Sequence, residues 1–223
     1  MKVGTDAMIL GSICSFPKPL KNLLDIGTGT GVLSLMLAQR FEPITITAIE
    51  IDQSASEDAL YNFSQSPFSS KFNLINEDIR SLKITESFEA IVSNPPFFEN
   101  SSKSESEQRN LARHTDNLSY TELLQKAASL LASNGLFWII APYESFNLLC
   151  SLGKENGLFV YQSVVINGKP NKPVRVVIAF SKDTSQSTAT ELTIRNDFGK
   201  YTESYIDLTR QFHAVDLSEQ NRK

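Results

Sequence analysis

Segments of two periodicities alternate along the first 157 residues, and this alternation constrains the fold more than any other feature of the sequence. Apolar, β-branched segments predict strands at residues 21–27, 44–51, 71–78, 88–94 and 136–142. Segments with helical spacing predict helices at residues 32–41, 53–66, 119–135 and 144–157. Strands joined through helices form parallel sheets with helices on both faces, because the crossovers are right-handed. This part of the chain therefore predicts an α/β domain built on a mostly parallel sheet.

The pattern changes after residue 157, where β-rich segments replace the alternation. Residues 158–166 and 173–181 flank the turn-rich stretch NGKPNK, which is typical of an antiparallel hairpin. One helix start is also marked, because Ser119 and Glu122 form a capping-box pattern ahead of an apolar run. The sequence contains no internal repeat and no obvious linker, so we interpret residues 1–223 as a single domain.

Composition excludes several classes of protein. Hydrophobic residues make up 41% and charged residues 21% of the chain, as in ordinary globular proteins. The net charge of −4 provides no overall positive field for a nucleic acid, although a local basic face is compatible with it. Cys14 and Cys150 have neither a disulfide framework nor a metal-binding spacing, so we expect two small core residues and no metal. No apolar run reaches the roughly 20 residues of a membrane helix, and we expect a cytoplasmic protein without a membrane partner.

The first candidate site is the stretch LLDIGTGTG at residues 23–31, which follows a predicted strand and opens a predicted helix. Gly27, Gly29 and Gly31 let the backbone turn tightly and approach a ligand closely. A turn that binds nothing would look the same, and dinucleotide-binding enzymes use the related spacing G-x-G-x-x-G. Here the third glycine falls one position early, and Asp25 stands before the loop.

Two further acids stand where the second and third predicted strands end. At Glu50 a carboxylate can accept hydrogen bonds from both ribose hydroxyls. At Asp78 a carboxylate can accept a hydrogen bond from an adenine amino group, although a turn or a helix cap would explain this residue when it is taken alone. Ligands of open α/β sheets bind at the carboxyl ends of the strands. The expected ligand therefore contains adenine and ribose.

The stretch SNPPFF at residues 93–98 ends the fourth predicted strand at the same edge. Prolines lack an N–H donor and have a fixed φ, so neither a strand nor a helix continues easily through two of them. In a chain without a site here, residues 94–97 would form a strand-ending turn with a core phenylalanine. The polar stretch at residues 99–118 is longer than ordinary connections, and it predicts either a substrate loop or a solvated loop.

Together the stretches DIGTGTG, IEID, NEDI and NPPF resemble class I S-adenosylmethionine-dependent methyltransferases that methylate amino groups. The stretches MKVGTDAMILGS, ARHTDNLSYTELLQ and RNDFGKYTESYIDLTRQFH are similar to the tRNA1(Val) (adenine-37-N6)-methyltransferase family. That resemblance implies a Rossmann-like class I methyltransferase fold, with a mostly parallel seven-stranded sheet, a C-terminal antiparallel hairpin and helices on both faces. It also implies S-adenosyl-L-methionine as cofactor and a valine tRNA as substrate, methylated on the adenine N6 amine 3′ of the anticodon. Relatives usually carry a short segment before MKVGTD, so we expect such a segment to be lacking here.

The resemblance also assigns roles to residues. The Asn94 side-chain oxygen and the Pro95 carbonyl would accept the two N–H bonds of the target amine, Pro96 would keep this geometry rigid, and Phe97 would stack on the target base. The residues expected to bind the cofactor are Asp25, Gly27, Thr28, Gly29, Gly31, Glu50, Ile51, Asp78, Ile79, Asn94 and Thr5. The residues expected to contact the substrate are Phe97, Phe98, Arg113, Lys169, Lys172 and Arg175. Core packing of Phe98 and simple solvation of the four cations are the alternatives.

Substrates other than tRNA could accept the methyl group with the same sequence motifs. Protein-glutamine N5-methyltransferases of the release-factor type also use NPP followed by an aromatic residue, but usually with tyrosine and with a separate N-terminal domain. An rRNA amino-methyltransferase is a further alternative, whereas a DNA enzyme would need a target-recognition domain. A non-catalytic binding module would not need an intact Asn94, Gly27, Glu50 and Asp78. We expect a monomer.

Overall fold

The computed structural model describes residues 4–42, 44–96, 118–184 and 187–220. The helices in these ranges are α1 Thr5–Ile13, α2 Val32–Arg40, α3 Gln53–Gln65, α4 Tyr120–Leu130, α5 Phe146–Glu155, α6 Glu203–Thr209 and α7 Leu217–Gln220. The strands are β1 Asn22–Ile26, β2 Thr45–Ile49, β3 Phe72–Ile75, β4 Phe88–Ser93, β5 Leu131–Pro142, β6 Phe159–Lys169, β7 Lys172–Ser181 and β8 Thr188–Thr193.

These strands form one mixed sheet with the order β3-β2-β1-β4-β5-β7-β6-β8. The neighbours from β3 to β5 pair in parallel, as do β6 and β8, whereas β7 is antiparallel to both β5 and β6. The structure thus confirms a mostly parallel sheet with an added hairpin. Strand order reverses at β1, which lies between β2 and β4, and such a reversal leaves a crevice at the carboxyl ends of the strands.

The sheet has eight strands within the described ranges, so the predicted number of seven is wrong. Sequence patterning does not predict β8, which reads TATELT and lies at the edge of the sheet. Its first four residues are exposed, and Leu192 is buried. An edge strand that faces water on both sides carries little of the apolar pattern by which strands are predicted.

The predicted helix at 119–135 is too long at its C-terminal end. Its start is confirmed, because the Ser119 hydroxyl accepts from the Glu122 N–H and the Glu122 carboxylate accepts from the Ser119 N–H. The helix ends at Leu130, and β5 begins at the next residue. Gly135 lies within β5, where a Cβ would stand 2.9 Å from a carbonyl oxygen of β4. This glycine therefore permits a close approach of two strands and does not terminate a helix.

Helices cover both faces of the sheet and bury an apolar cluster on each. Along β5 the side chains alternate, with Leu136, Trp138 and Ile140 in the cluster that includes α1, α2 and α6. Phe137 and Ile139 belong to the cluster that includes α4 and α5. Burial on both faces is typical of parallel sheets. The carboxyl ends of the central strands are therefore held by a core on either side.

Candidate active site

A cavity of about 410 Å³ opens at the carboxyl edge of the sheet, where β1, β2 and β4 end. Many of the residues singled out in the sequence border this cavity, namely Gly27, Gly29, Glu50, Ile51, Asp78, Ile79, Asn94, Pro95 and Pro96. Asp52, Ala55, Glu77 and Leu118 also line it, and sequence reasoning did not single them out. One cavity thus brings together the glycine turn, two of the three strand-end acids and the Asn-Pro-Pro stretch.

Glycine is required at three positions in the turn between β1 and α2, for two different structural reasons. All have positive φ, at 74° for Gly27, 58° for Gly29 and 82° for Gly31, a region that favours glycine. A Cβ at Gly27 or Gly29 would meet no atom within 4 Å, and both residues border the cavity. A Cβ at Gly31 would lie 2.5 Å from the ring of Phe63 on α3. Gly27 and Gly29 therefore leave bare backbone at the cavity, whereas Gly31 lets α3 approach the turn.

Asp25 is fully buried behind this turn and does not border the cavity. Its Oδ2 accepts from the hydroxyls of Thr28 and Ser34, both at 2.7 Å. Its Oδ1 has no hydrogen-bond partner among the described residues. Burial raises the pKa of the Asp25 carboxyl to about 6. Asp25 and Thr28 thus hold β1, the turn and α2 together from behind, and Ser34 is a member of this group that the sequence pattern did not reveal.

Glu50 follows β2 at the cavity and is almost fully buried. Its Oε2 accepts from the N–H of Gly29 at 2.8 Å, and its Oε1 accepts from the N–H of Asp52 at 2.9 Å. The Asn76 side chain in turn donates to the Glu50 carbonyl at 2.8 Å, and the Asp52 side chain caps α3. Each carboxylate oxygen can accept more than one hydrogen bond. Glu50 is therefore oriented by the main chain and retains capacity for ligand hydroxyls.

Asp78, after β3, is shared between the cavity and Arg80. The Arg80 Nη2 lies 2.6 Å from the Asp78 Oδ2, and the Arg80 N–H donates to Oδ1 at 2.8 Å. These bonds to Arg80 lower the pKa of the Asp78 carboxyl. The guanidinium also lies 3.6 Å from Glu122 on α4. Asp78 is thus kept ionised and fixed at the cavity by a cation that sequence reasoning did not identify.

The Asn-Pro-Pro stretch begins where β4 is tied to β1. The Ser93 hydroxyl donates to the carbonyl of Ile26 at 2.8 Å and is buried. Asn94 is half-buried at the cavity wall, Pro95 is buried and Pro96 is exposed. Phe97, Phe98 and Arg113, which the sequence predicts to contact the substrate, lie outside the described residues, as does the rest of 99–117.

The remaining candidates lie around the cavity and do not line it. Thr5 is the first residue of α1, whose N-cap is Gly4, and no side chain caps this helix. Asp6 accepts from the Nε of Arg175 at 3.1 Å. Arg175 pairs in register with Pro142, the last residue of β5, so this ion pair also lies at the carboxyl edge of the sheet.

Lys169 and Lys172 lie directly opposite each other at the tip of the β6–β7 hairpin, on either side of residues 170–171. Asn171 has a φ of 57°, which asparagine tolerates better than most residues. Both lysines are exposed. Like charges on directly opposed strand residues are destabilising, so this pair lowers the stability of the hairpin tip when nothing is bound.

Among the residues in the described ranges, no group of three or more His, Cys, Asp or Glu side chains is placed to hold a metal ion. No helix that the structure describes is long and apolar enough to cross a membrane.

A sheet whose order reverses at β1, with a glycine turn, a buried glutamate and an Asn-Pro-Pro stretch at one crevice, defines a class I methyltransferase. Comparison with known proteins supports this assignment to the methyltransferases. The methyltransferase small domain family matches residues 12–147. A predicted O-methyltransferase from Agrobacterium tumefaciens has the same fold, with a TM-score of 0.73 and 19% identity over 95% of this chain and 98% of that one.

Comparison with curated relatives identifies a narrower family. A tRNA1(Val) (adenine(37)-N6)-methyltransferase from Vibrio vulnificus is 37% identical over 96% of this chain and 89% of its own length. The enzyme of the same name from Bacteroides fragilis is also 37% identical, over 96% of this chain and 91% of its own length. The chain therefore belongs to the tRNA1(Val) (adenine(37)-N6)-methyltransferase family, within the methyltransferase small domain proteins.

Proposed function

We propose that the protein methylates the exocyclic N6 amine of an adenine in tRNA, at position 37, 3′ of the anticodon of a valine tRNA. The observation that carries this proposal is the placement of Asn94 and Pro95 in the same cavity as Gly29 and Glu50. A methyl donor and an amino acceptor must meet at one crevice, and this cavity holds the groups suited to each. The names of the curated relatives give the same substrate and the same atom.

S-adenosyl-L-methionine fits the cavity by its chemistry. The volume of about 410 Å³ lies within the usual range of small-molecule sites. The bare backbone at Gly27 and Gly29 permits close approach, and the oriented Glu50 carboxylate would accept hydrogen bonds from the ribose hydroxyls. Asp78 would accept from the adenine amino group, beside the apolar side chains of Ile51 and Ile79. When bound, this cofactor supplies an electrophilic methyl group on a sulfonium.

Asn94 and Pro95 would orient the acceptor amine. The lone pair of an amine on a purine ring is delocalised into the ring, which makes the nitrogen a poor nucleophile. The Asn94 side-chain oxygen and the Pro95 carbonyl would accept its two N–H bonds and favour a pyramidal nitrogen whose lone pair is localised. The fixed φ of Pro95 and Pro96 keeps these acceptors in place before the substrate arrives. The N–H proton becomes acidic once the nitrogen is alkylated, so a strong base is not required.

The hairpin tip would contact the phosphate backbone of the substrate. Lys169 and Lys172 stand opposite each other, and a phosphate between them would remove their mutual repulsion. Arg175 lies on the same hairpin but is paired with Asp6. With a net charge of −4, binding of RNA would rest on a few local cations and would weaken strongly with salt.

We further infer that residues 1–223 form a single methyltransferase domain that acts as a monomer in the cytoplasm, where tRNA is modified. All described strands belong to one sheet, which supports one domain.

The test is methyl transfer from labelled S-adenosyl-L-methionine to unmodified tRNA, rRNA, a release factor and DNA, offered in parallel reactions. Nucleoside analysis should identify N6-methyladenosine in tRNA, and the product should disappear with Asn94→Ala. Label in the release factor instead would mean glutamine methylation, and label in rRNA alone would mean a different RNA substrate.

A further inference from the structure

Phe198 is 89% exposed, in the turn formed by residues 195–201 after β8, which we call the 195–201 turn. Single exposed apolar side chains are common on protein surfaces, so this exposure alone indicates nothing. Three further observations distinguish Phe198: the rigidity of its turn, the anchoring of that turn to the core, and its place beside the cationic hairpin tip.

Hydrogen bonds across the 195–201 turn fix its main chain. The Asn196 N–H donates to the carbonyl of Lys200 at 2.8 Å, and the Lys200 N–H donates back to the Asn196 side chain at 3.1 Å. The Gly199 N–H donates to the Asn196 carbonyl at 3.0 Å, and Gly199 has a φ of 78°. The Arg195 guanidinium donates to the Gly199 carbonyl at 2.6 Å. The turn therefore presents Phe198 on a defined backbone.

The base of the turn is anchored to the core. Arg195 and Tyr201 form an isolated β-bridge, and the Arg195 guanidinium lies 3.9 Å from the centre of the Tyr201 ring. That ring stacks on Tyr205 of α6, with centroids 5.2 Å apart, and Tyr205 is buried in the core cluster. The Thr202 N–H donates to the carbonyl of Ile194 at 3.0 Å. An exposed phenylalanine on a turn held this way loses little conformational freedom when it binds.

The 195–201 turn lies beside the hairpin tip, at the same sheet edge as the cavity. The Ile194 N–H donates to the Asn167 carbonyl and the Arg195 N–H donates to the Gly168 carbonyl. Lys169 is the next residue. β6 and β8 run parallel to β5 and β4, so their carboxyl ends lie at the sheet edge where β4 ends and Asn94 follows it.

Side chains of both charges surround Phe198, and exposed Glu191 of β8 accepts from the Asn167 side chain at 3.1 Å at the base of the hairpin tip. Lys200 in the turn and Lys169 and Lys172 on the adjoining tip are exposed, and exposed Asp197 is the acid of the turn itself. A rigid aromatic side chain flanked by exposed lysines is the combination with which proteins hold unpaired nucleotides, since the ring stacks on a base and the cations meet phosphates.

We propose that Phe198 stacks on an unpaired base of the RNA substrate a few nucleotides away from the one that enters the cavity, because β8 lies four strands from β4, about 19 Å at the usual spacing of about 4.8 Å. The proposal rests on the proposed function and adds a base contact that is remote in sequence from the Asn-Pro-Pro stretch. The anticodon loop would then be held at two points, the target adenine and the base on Phe198. The phosphates between these points would face Lys169 and Lys172.

The first experiment compares kcat/KM for unmodified tRNA in wild-type protein, Phe198→Ala, Phe198→Leu and Phe198→Trp. Loss of one base–aromatic stack should lower kcat/KM roughly 5- to 100-fold in Phe198→Ala, with leucine restoring little and tryptophan restoring most. Affinity for S-adenosyl-L-methionine should not change. Tyr61→Ala is the matched control, since Tyr61 is a 66% exposed aromatic residue on α3, and it should match the wild type.

The second experiment does not depend on turnover. Trp138 is fully buried, so it gives a constant background in a Phe198→Trp variant. Addition of an unmodified anticodon stem-loop should quench the new tryptophan fluorescence, whereas a Tyr61→Trp variant should show no quenching.

The outcomes separate this proposal from the proposed function. If the wild type methylates tRNA and Phe198→Ala is as efficient, with no quenching in Phe198→Trp, the stacking proposal is wrong and the proposed function stands. If leucine restores the rate as fully as tryptophan, the contact is hydrophobic and stacking is wrong. If the wild type does not methylate tRNA at all, the proposed function fails first, and this proposal fails with it.

Discussion

The backbone N–H of Gly29 donates to the Glu50 carboxylate over 2.8 Å, and this bond joins the turn after β1 to the end of β2. The other carboxylate oxygen accepts from the Asp52 N–H over 2.9 Å. Two main-chain donors fix the direction of the carboxylate while leaving lone pairs for a ligand. The same side chain therefore shapes the glycine turn and faces the cavity.

Replacing Glu50 with alanine should weaken binding of S-adenosyl-L-methionine by about 10- to 100-fold, because hydrogen bonds to a charged group contribute about 1.5–3 kcal/mol. Isothermal titration calorimetry measures this directly. Glu57→Ala, which removes an exposed carboxylate from α3, is the control and should bind normally. Unchanged affinity in Glu50→Ala would refute the assignment of Glu50 to the cofactor.

Replacing Asn94 with alanine should lower kcat by about 100- to 1000-fold, which is the scale on which one positioned polar group acts on a reacting centre. Cofactor affinity should fall far less, by at most a few fold, because Asn94 is one of several residues expected to bind the cofactor and the ribose and adenine contacts lie elsewhere in the cavity. Asn134→Ala removes an exposed asparagine at the opposite end of β5 and serves as the control. A single-turnover assay separates chemistry from product release, and a normal rate there would exclude the orienting role.

The burial of Asp25 predicts a pH-dependent stability. Its pKa rises from 3.8 in the unfolded chain to about 6 in the folded protein, so the folded state holds the proton more tightly. Its contribution to the free energy of unfolding is therefore full below about pH 4 and is lost as the pH rises to about 6, by on the order of 2–3 kcal/mol. Urea denaturation of wild type and Asp25→Asn from about pH 4 to pH 7 should give curves whose difference follows this trend. Parallel curves, as expected for exposed Asp58→Asn, would contradict it.

Two glycines of the same turn should respond differently to alanine. Gly31→Ala places a Cβ 2.5 Å from the Phe63 ring at a φ of 82°, so we expect a loss of about 2–4 kcal/mol in the free energy of unfolding. Gly29→Ala has open space around its Cβ, so we expect a loss of only about 1 kcal/mol for its φ but weaker cofactor binding. Chemical denaturation and calorimetry measure both. Phe63→Leu should recover part of the stability in Gly31→Ala, and strict additivity would argue against the clash.

Replacing Lys169 and Lys172 with glutamine should weaken tRNA binding and reduce the slope of log Kd against log salt by about one for each phosphate that the lysines neutralise in the wild type. The double variant should also be slightly more stable, because it removes a like-charged cross-strand pair. Filter binding across a salt series tests the first effect, with Lys154→Gln on α5 as the control. A slope identical to that of the wild type would remove the hairpin tip from the RNA interface.

The positions of the first five strands along the chain and the location of the candidate site could be predicted because both leave local signals. Buried parallel strands are apolar throughout, and a glycine turn or an Asn-Pro-Pro stretch is read from consecutive residues. The eighth strand could not be predicted, because an exposed edge strand needs only backbone pairing and tolerates TATELT. In the sequence Gly135 resembles a helix terminator, and only its distance to β4 reveals that it belongs to a strand that packs closely against β4.

The supporting shell of the site was also invisible to sequence reasoning. Asn76 holds the chain after Glu50, and Arg80 holds Asp78, but both contacts depend on where β2, β3 and the following turn meet in space. Polar residues near strand ends are common, and their partners are decided by the fold. The roles proposed for residues at the cavity were thus suggested by motif, whereas the groups that orient them are brought into place only by the three-dimensional structure.

The position of β7 has a consequence for synthesis of the chain. β7 is inserted between β5 and β6, although it is the last of the three to be made. During translation, the free side of β5, whose residues 136–141 are all buried in the finished protein, therefore stays unpaired until residues 172–181 have left the ribosome. An unpaired apolar strand edge is a template for association with other chains. The hairpin thus closes the most vulnerable edge of the nascent sheet, and its rapid local pairing shortens the time for which that edge is open.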